Sequence, residues 1–356
     1  MRDATVAATK CRNCDNRLRS LSILDEVPFF PISRWDIQFY SNEKRPVCQI
    51  YLPLRAGQYI IILIKKTVEV CPMEAYVMDA FSARLFGGNQ AGVVLPDRPL
   101  DDAVMQQIAA EFKHSETAFV TVEPDGSVTL RYFTPAGEVE LCGHATIASF
   151  ALLRKLERIG DGIAAAHTKA ADLRIEVRGD TVWMDMAPPC WLRELTEQEL
   201  PPLYAAYGLT PADRPEGLLP AIVSTGLADI MMPVRDRDTL LRAVQNEAAV
   251  TALSRQYDVT GVHMFCPGDG CTAYCSNYAP LCDIPEECAT GTSNGALTYY
   301  LYRHGMVRPE EENVFLQGEH MHRPSEIRSR LYTDGGAVTV RVGGRAVMSM
   351  ACDLKL

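Results

Sequence analysis

Long apolar runs are missing from this chain of 356 residues. The longest, Tyr59 to Ile64, stops at Lys65-Lys66 and falls far short of the roughly 20 apolar residues that cross a bilayer as a helix. Positive charge is scarce as well: 35 Lys and Arg face 45 Asp and Glu, for a net charge of −10. Nucleic acids and anionic membranes are held mainly by clustered cations, so neither is an expected partner and a small molecule is. No phosphate-cradling glycine loop occurs, since Gly87-Gly88 fits neither the dinucleotide nor the nucleotide-triphosphate pattern. The seven histidines form no metal cluster by spacing, and His320-Met321-His322 stands alone in a polar stretch. Neither a metal nor a cofactor is expected. Met1-Arg2-Asp3-Ala4 leads into no apolar core of a secretion signal, and the twelve cysteines are scattered along the chain. Free thiols in a reducing cytoplasm are the expectation. The oligomeric state is left open, a homodimer included.

What is present is a globular composition, 47% hydrophobic and 22% charged, on a chain long enough for two lobes with substantial cores. Residues 1 to 72 read differently from the rest. They carry 11 Lys and Arg against 7 Asp and Glu and show no sustained periodicity, although Gln58 to Val70 could form a strand or two. Cys11 and Cys14 have the spacing of half a zinc site, but Cys48 and Cys71 supply no second close pair. This segment is expected to be an appendage or an upstream misread start.

From Met73 the sequence becomes regular. Glu74 to Phe81 alternates as a strand does, and Gly87-Gly88-Asn89-Gln90 reads as a turn into the apolar run Ala91 to Leu95. Asp101 suits the N-cap of a helix whose Val104, Met105, Ile108, Ala109 and Phe112 share one face. Thr117 to Val122 and Val128 to Phe133 flank Pro124-Asp125-Gly126, a hairpin signal, and Thr146 to Leu156 reads as a buried helix. A hairpin of Leu173 to Val177 with Thr181 to Met186 closes the first lobe, residues 73–187, and Pro188-Pro189 marks a boundary. The second lobe, 188–356, repeats the plan, with strands at Ala221 to Ser224, Val262 to Phe265 and Thr272 to Asn277, and helices at Thr239 to Val244 and Ala248 to Tyr257. A buried helix near Ser293 to Arg303 follows, then strands near Val314, Val338 to Val342 and Val347 to Met350, the last of which can return to the first lobe. The class is α+β.

The two halves share a short echo. Glu140-Leu141-Cys142-Gly143-His144-Ala145-Thr146 and Glu286-Glu287-Cys288-Ala289-Thr290-Gly291-Thr292 both fit Glu-x-Cys-x-x-x-Thr. Each leads into a predicted buried helix, where free backbone N–H groups attract anions and depress a thiol's pKa. Two such ends facing one another would hold a small carboxylate. Caps and buried cysteines are also ordinary structural features.

Several ordered motifs carry a resemblance. Asp79-Ala80-Phe81, Gly88 to Leu95, His114 to Phe119, Tyr132-Phe133-Thr134-Pro135 and Cys142 to Thr146, then Glu286 to Leu297, Gln317-Gly318-Glu319 and Arg323-Pro324-Ser325, resemble the PhzF-like family named for phenazine biosynthesis. The resemblance implies two related lobes, each a curved, mostly antiparallel, barrel-like sheet around a central helix with the active site between them, as in diaminopimelate epimerase and proline racemase. It also implies a cofactor-independent isomerase in which Glu116 moves a proton, assisted by His144 and by an acid of the second lobe, here Glu287. Asn89, Gln90, Gly143, Gly291 and Thr292 are the expected substrate-holding positions.

Two departures matter. The family motif reads Glu-Asp-Pro where this chain has Glu286-Glu287-Cys288. Cys288, with Cys142, also falls where two-thiol racemases and epimerases keep their catalytic cysteines, so a racemase or epimerase using that pair stays open. A cysteine hydrolase using Cys142 and His144 would need a third, orienting residue that the sequence does not advertise. A non-catalytic binding protein on the same fold is the remaining alternative.

Overall fold

The structure, a computed structural model, describes residues 39–42, 45–53, 59–65 and 73–355. Cys11, Cys14 and Cys71 lie outside the described residues, so the expectation on a zinc site falls outside them, and Cys48 is described only as part of a strand. The chain divides into two units, Met1–Val70 and Cys71–Leu356. In the first unit, β1 (Phe39–Asn42), β2 (Arg45–Pro53) and β3 (Tyr59–Lys65) form an antiparallel sheet. β3 falls within Gln58 to Val70, where the sequence allows a strand.

The second unit begins with β4 (Met73–Ala80), β5 (Asn89–Leu95), α1 (Asp102–Phe112), β6 (Glu116–Val122), β7 (Val128–Phe133) and β8 (Glu138–Val139). The central helix α2 (Gly143–Lys155) and the strands β9 (Gly162–His167), β10 (Asp172–Arg178) and β11 (Thr181–Asp185) complete the first lobe. The second lobe holds β12 (Cys190–Glu194), α3 (Leu200–Ala205), β13 (Ala221–Ser224), β14 (Ala228–Pro233), α4 (Arg237–Leu241) and α5 (Glu247–Tyr257). It continues through β15 (Gly261–Pro267), β16 (Ala273–Ala279), β17 (Ile284–Glu287), the central helix α6 (Gly291–Arg303), β18 (Glu312–Gln317), β19 (Ser325–Asp334), β20 (Ala337–Gly344) and β21 (Ala346–Leu354).

Both predicted hairpins form, β6 with β7 and β10 with β11. Asp101 is the N-cap of α1 by backbone geometry, although its side chain makes no capping bond. Asn89 and Gln90 already belong to β5, so the expected turn lies just before them. Gly88 supplies its tight point at φ +63°, where an added Cβ would sit 2.1 Å from Ala80 O. The sheet is mostly antiparallel and closes as a barrel. Its two halves share strands: β21 pairs with β4, and β20 joins β11 to β19.

This sharing explains why the lobes pack as one body. The first-lobe strands wrap α2 and the second-lobe strands wrap α6, and the two helices touch each other. Both are buried nearly all round, and the polar residues they enclose, such as Thr146 and Ser149 of α2 and Asn294 and Thr298 of α6, are hydrogen-bonded back to the helix. Ile147, Phe150 and Leu152 of α2 and Ala296, Leu297 and Tyr300 of α6 are fully buried in one continuous core. Their N-termini define where chemistry can occur.

Candidate active site

The first lobe contributes a carboxylate, an imidazole and a thiol. Cys142 is the N-cap residue of α2, with extended backbone angles, and His144 is the helix's second residue. Both are buried. Glu116 opens β6, alongside Ala91 of β5. Its Oε2 lies 3.3 Å from His144 Nε2, yet this oxygen is buried without a hydrogen-bond partner. Ser115 Oγ lies 3.4 Å from the same ring nitrogen, and Cys142 Sγ lies 3.4 Å from Nδ1.

Burial lowers the pKa of His144 more than the neighbouring Glu116 charge raises it, and the positive end of α2 acts in the same direction as burial. The ring is neutral at neutral pH. Burial and the Glu116 charge raise the pKa of the Cys142 thiol well above its ordinary value. A helix N-terminus can depress a thiol's pKa; here desolvation wins, so the sulfur stays protonated.

The second lobe contributes Glu287, the last residue of β17. Its Oε1 accepts from Asn89 Nδ2 at 2.9 Å, and its Oε2 accepts from the Thr290 hydroxyl. Burial pushes its pKa up to about 7 against the lowering effect of those bonds, with the Glu116 charge adding to the rise. The same Asn89 amide donates to Ala289 O at 3.1 Å and lies 3.4 Å from His144 Nδ1. One amide thus links Glu287 of the second lobe to His144, the neighbour of Glu116.

The echoed motifs do not align in space as they do in sequence. Cys142 caps α2, but the residue that caps α6 is Thr290, two positions after Cys288. The expectation that both cysteines sit at helix starts is therefore corrected for Cys288. Its thiol donates to Gly88 O at 3.1 Å, and burial raises its pKa to about 11. Gly143 and Gly291 are the first helical residues of α2 and α6, where backbone N–H groups lack helical partners. The Thr292 carbonyl accepts from Thr225 Oγ1 at 2.8 Å.

Sequence reading missed three contributors. Ser115 falls within the His114 to Phe119 motif, which assigns it no role. Gln317 donates to Glu287 O at 2.7 Å and to Thr290 Oγ1 at 3.1 Å, and accepts from Asn294 at 2.8 Å. Arg323 reaches across the lobes, as described below. Gln317 and Arg323 were visible as motif residues, but nothing in their spacing tells which groups they meet. Near Gln317, Gly318 at φ +82° leaves room that a Cβ would lose, 2.4 Å from Arg323 O.

A hollow of about 270 Å³ opens between the lobes, lined by Asn89, Gln90, Ser115, Glu287, Cys288 and Arg323 among others. Glu116 and His144 adjoin it through Ser115 and Asn89. Glu116, Cys142 and His144 also bring three donor atoms within 4.8 Å of one another, a set that could hold a thiophilic divalent ion and that sequence spacing did not reveal. Among the described residues, no helix is long and apolar enough to cross a membrane.

A two-lobed barrel around two central helices, with an acid of each lobe near their starts, is an epimerase-like fold. The family of phenazine biosynthesis-like proteins matches residues 78–352, and the chain belongs to it and is an isomerase. It is similar to the uncharacterized isomerase YddE of Salmonella typhimurium, 32% identical over 251 residues covering 69% of this chain and 84% of that one. An isomerase of Deinococcus radiodurans is 32% identical over 296 residues, covering 78% and 93%. The crystal structure of a Bacillus anthracis phenazine biosynthesis protein of the PhzF family shares the fold with a TM-score of 0.73 at 23% identity, over 80% of this chain and 99% of that one.

Proposed function

We propose that this isomerase moves a proton within a small carboxylate substrate, without a cofactor, by general acid/base catalysis through Glu116. The observation that carries the reading is the buried Glu116 Oε2, unpartnered beside a neutral imidazole. A carboxylate oxygen with no well-aligned donor has a lone pair free to take a proton. His144 orients the carboxylate and can relay a proton. Glu287, with a pKa of about 7, is poised near neutrality, where acid/base groups work best.

The substrate's carboxylate would lie against the helix starts at Gly143, Gly291 and Thr292, with the side chains of Asn89 and Gln90 holding its other polar groups. The thiol reading is supported less. Both cysteines are held protonated by burial, and Cys288 spends its S–H on a backbone carbonyl. The test is solvent deuterium uptake into a panel of unsaturated and α-amino acids by wild type, Glu116→Gln and Cys288→Ser enzymes. Uptake lost in the first variant and kept in the second supports Glu116. The reverse ranking would move the chemistry to the thiols, and binding without uptake would make the protein a binder.

A further inference from the structure

We propose that Arg323 is a positioning residue: from the second lobe it grips the turn that precedes Asn89 in the first lobe, and so sets the amide that links Glu287 to His144. This rests on the acid/base reading of the site. Arg323 lies on the loop between β18 and β19. Its Nε donates to Gly88 O at 2.9 Å, and its Nη2 donates to Gly87 O at 2.8 Å and to Asp79 Oδ1 at 3.0 Å. Asp79 is fully buried, and its other oxygen accepts from Phe86 N at 2.9 Å.

The turn is held from several directions. Gly88 N donates to Pro324 O at 3.2 Å, and the Cys288 thiol donates to Gly88 O. Four contacts from the second lobe thus reach two consecutive glycines, and the next residue is Asn89. Arg323 is suited to this because a planar guanidinium can span two carbonyls and a carboxylate at once, which an ammonium cannot. Asp79 fixes the guanidinium plane and compensates its charge. The arrangement makes Asn89's geometry depend on the second lobe, so the bond to Glu287 is strong only when the lobes are seated together.

The bland alternative is that Arg323 and Asp79 merely tie the lobes. A readout that stability alone does not move separates the two roles. The titration of Glu287 is followed by NMR of side-chain ¹³C-labelled glutamate, its resonance assigned by loss in Glu287→Gln, in the substrate-free full chain. Donation from Asn89 holds the Glu287 midpoint down, so Asn89→Ala should raise it by roughly 0.5 to 1 on the pH scale, the size of one lost hydrogen bond. Arg323→Lys, which keeps the charge beside Asp79, should raise it comparably, and the double variant no further.

Should Arg323→Lys not fold, Arg323→Gln with Asp79→Asn removes both buried charges together and must give the same shift. An unchanged midpoint in these variants, or shifts that add to that of Asn89→Ala, would overturn the proposal. Because no substrate is needed, the outcome stands apart from the fate of the acid/base reading, which the deuterium experiment decides.

Discussion

The acids beside the two central helices are held differently. At the start of α2 the groups are under-satisfied: a buried carboxylate oxygen without a donor, an imidazole kept neutral by burial and a protonated thiol. At the start of α6 the Glu287 carboxyl group is saturated, with a donor on each oxygen, although Asn294 Oδ1 and Asp229 Oδ1 nearby are themselves buried without a partner. Thr290 donates to Glu287, Gln317 donates to both Thr290 and Glu287, and Asn294 donates to Thr290 O and Gln317. Beneath them Ser293 donates to the buried Asp229 and Asn277 donates to Ser293. On the proposed mechanism Glu116 exchanges the proton, and Glu287, with both oxygens held, presents its carboxyl group in one place. The two halves would thereby divide reacting from holding.

The largest break of this comparison is Glu116→Gln. The amide keeps the size of the carboxylate but cannot take a proton, so turnover should fall by ~10² to 10⁴-fold. Cys288→Ser, on the holding side, should change turnover only a few-fold, because a hydroxyl can also donate to Gly88 O. Near wild-type turnover in Glu116→Gln, beside a folded but inactive Cys288→Ser, would reverse the division. Solvent deuterium uptake measures both.

Much of this was legible in the sequence, for identifiable reasons. Buried helices and both hairpins announce themselves because patterns of apolar residues and Gly-containing turns are local. Glu116, His144 and Asn89 could be named because ordered motifs carry them. The helix start at α6 was not legible: the echo paired Cys142 with Cys288, whereas space pairs Cys142 with Thr290. A three-position match cannot say which residue is first to lose its helical partner, and threonine, a good N-cap type, was the better signal. Long-range partners were hidden altogether. Asn89 meets Glu287 across 198 residues and Arg323 meets Asp79 across 244, and no local pattern encodes such meetings.

A second break concerns the anion. If the substrate's carboxylate is held at the start of α6, Thr292→Val should weaken binding by about 1 to 3 kcal/mol through a lost hydrogen bond to a buried charge, leaving the rate of the chemical step nearly unchanged. The measurement is KM or the Kd of a substrate analogue for Thr292→Val beside wild type. Unchanged affinity would remove Thr292 from the substrate site and leave the anion to the α2 end. A smaller effect sharpens the picture of Glu287. Glu287→Asp shortens the side chain by one methylene, so the carboxylate can keep Thr290 or Asn89 more readily than both, and turnover should drop by roughly 3- to 30-fold, about 1 to 2 kcal/mol of positioning. Turnover equal to wild type would show that the length of this acid is immaterial.

The smallest effect is on stability, and it tests whether the holding end carries the titrating group assigned to it. In the folded protein Glu287 has a pKa of about 7, above the ordinary 4.5 that the unfolded chain should show, because burial disfavours its carboxylate. The folded state therefore binds more protons than the unfolded one between these two values, and stability must decline as pH rises through that window. Below about 4.5 both states are protonated and the contribution is complete; above about 7 it is gone. Glu287→Gln has no proton to lose and retains donors and acceptors of similar size, so this part of the pH dependence should vanish. Thermal unfolding of both proteins from pH 5 to 8.5 should give melting temperatures that converge at the acid end, with the variant gaining by a few degrees at the alkaline end. A constant difference across the range would mean that Glu287 titrates alike in both states, and the contrast between a reacting and a holding helix start would then lose its electrostatic half.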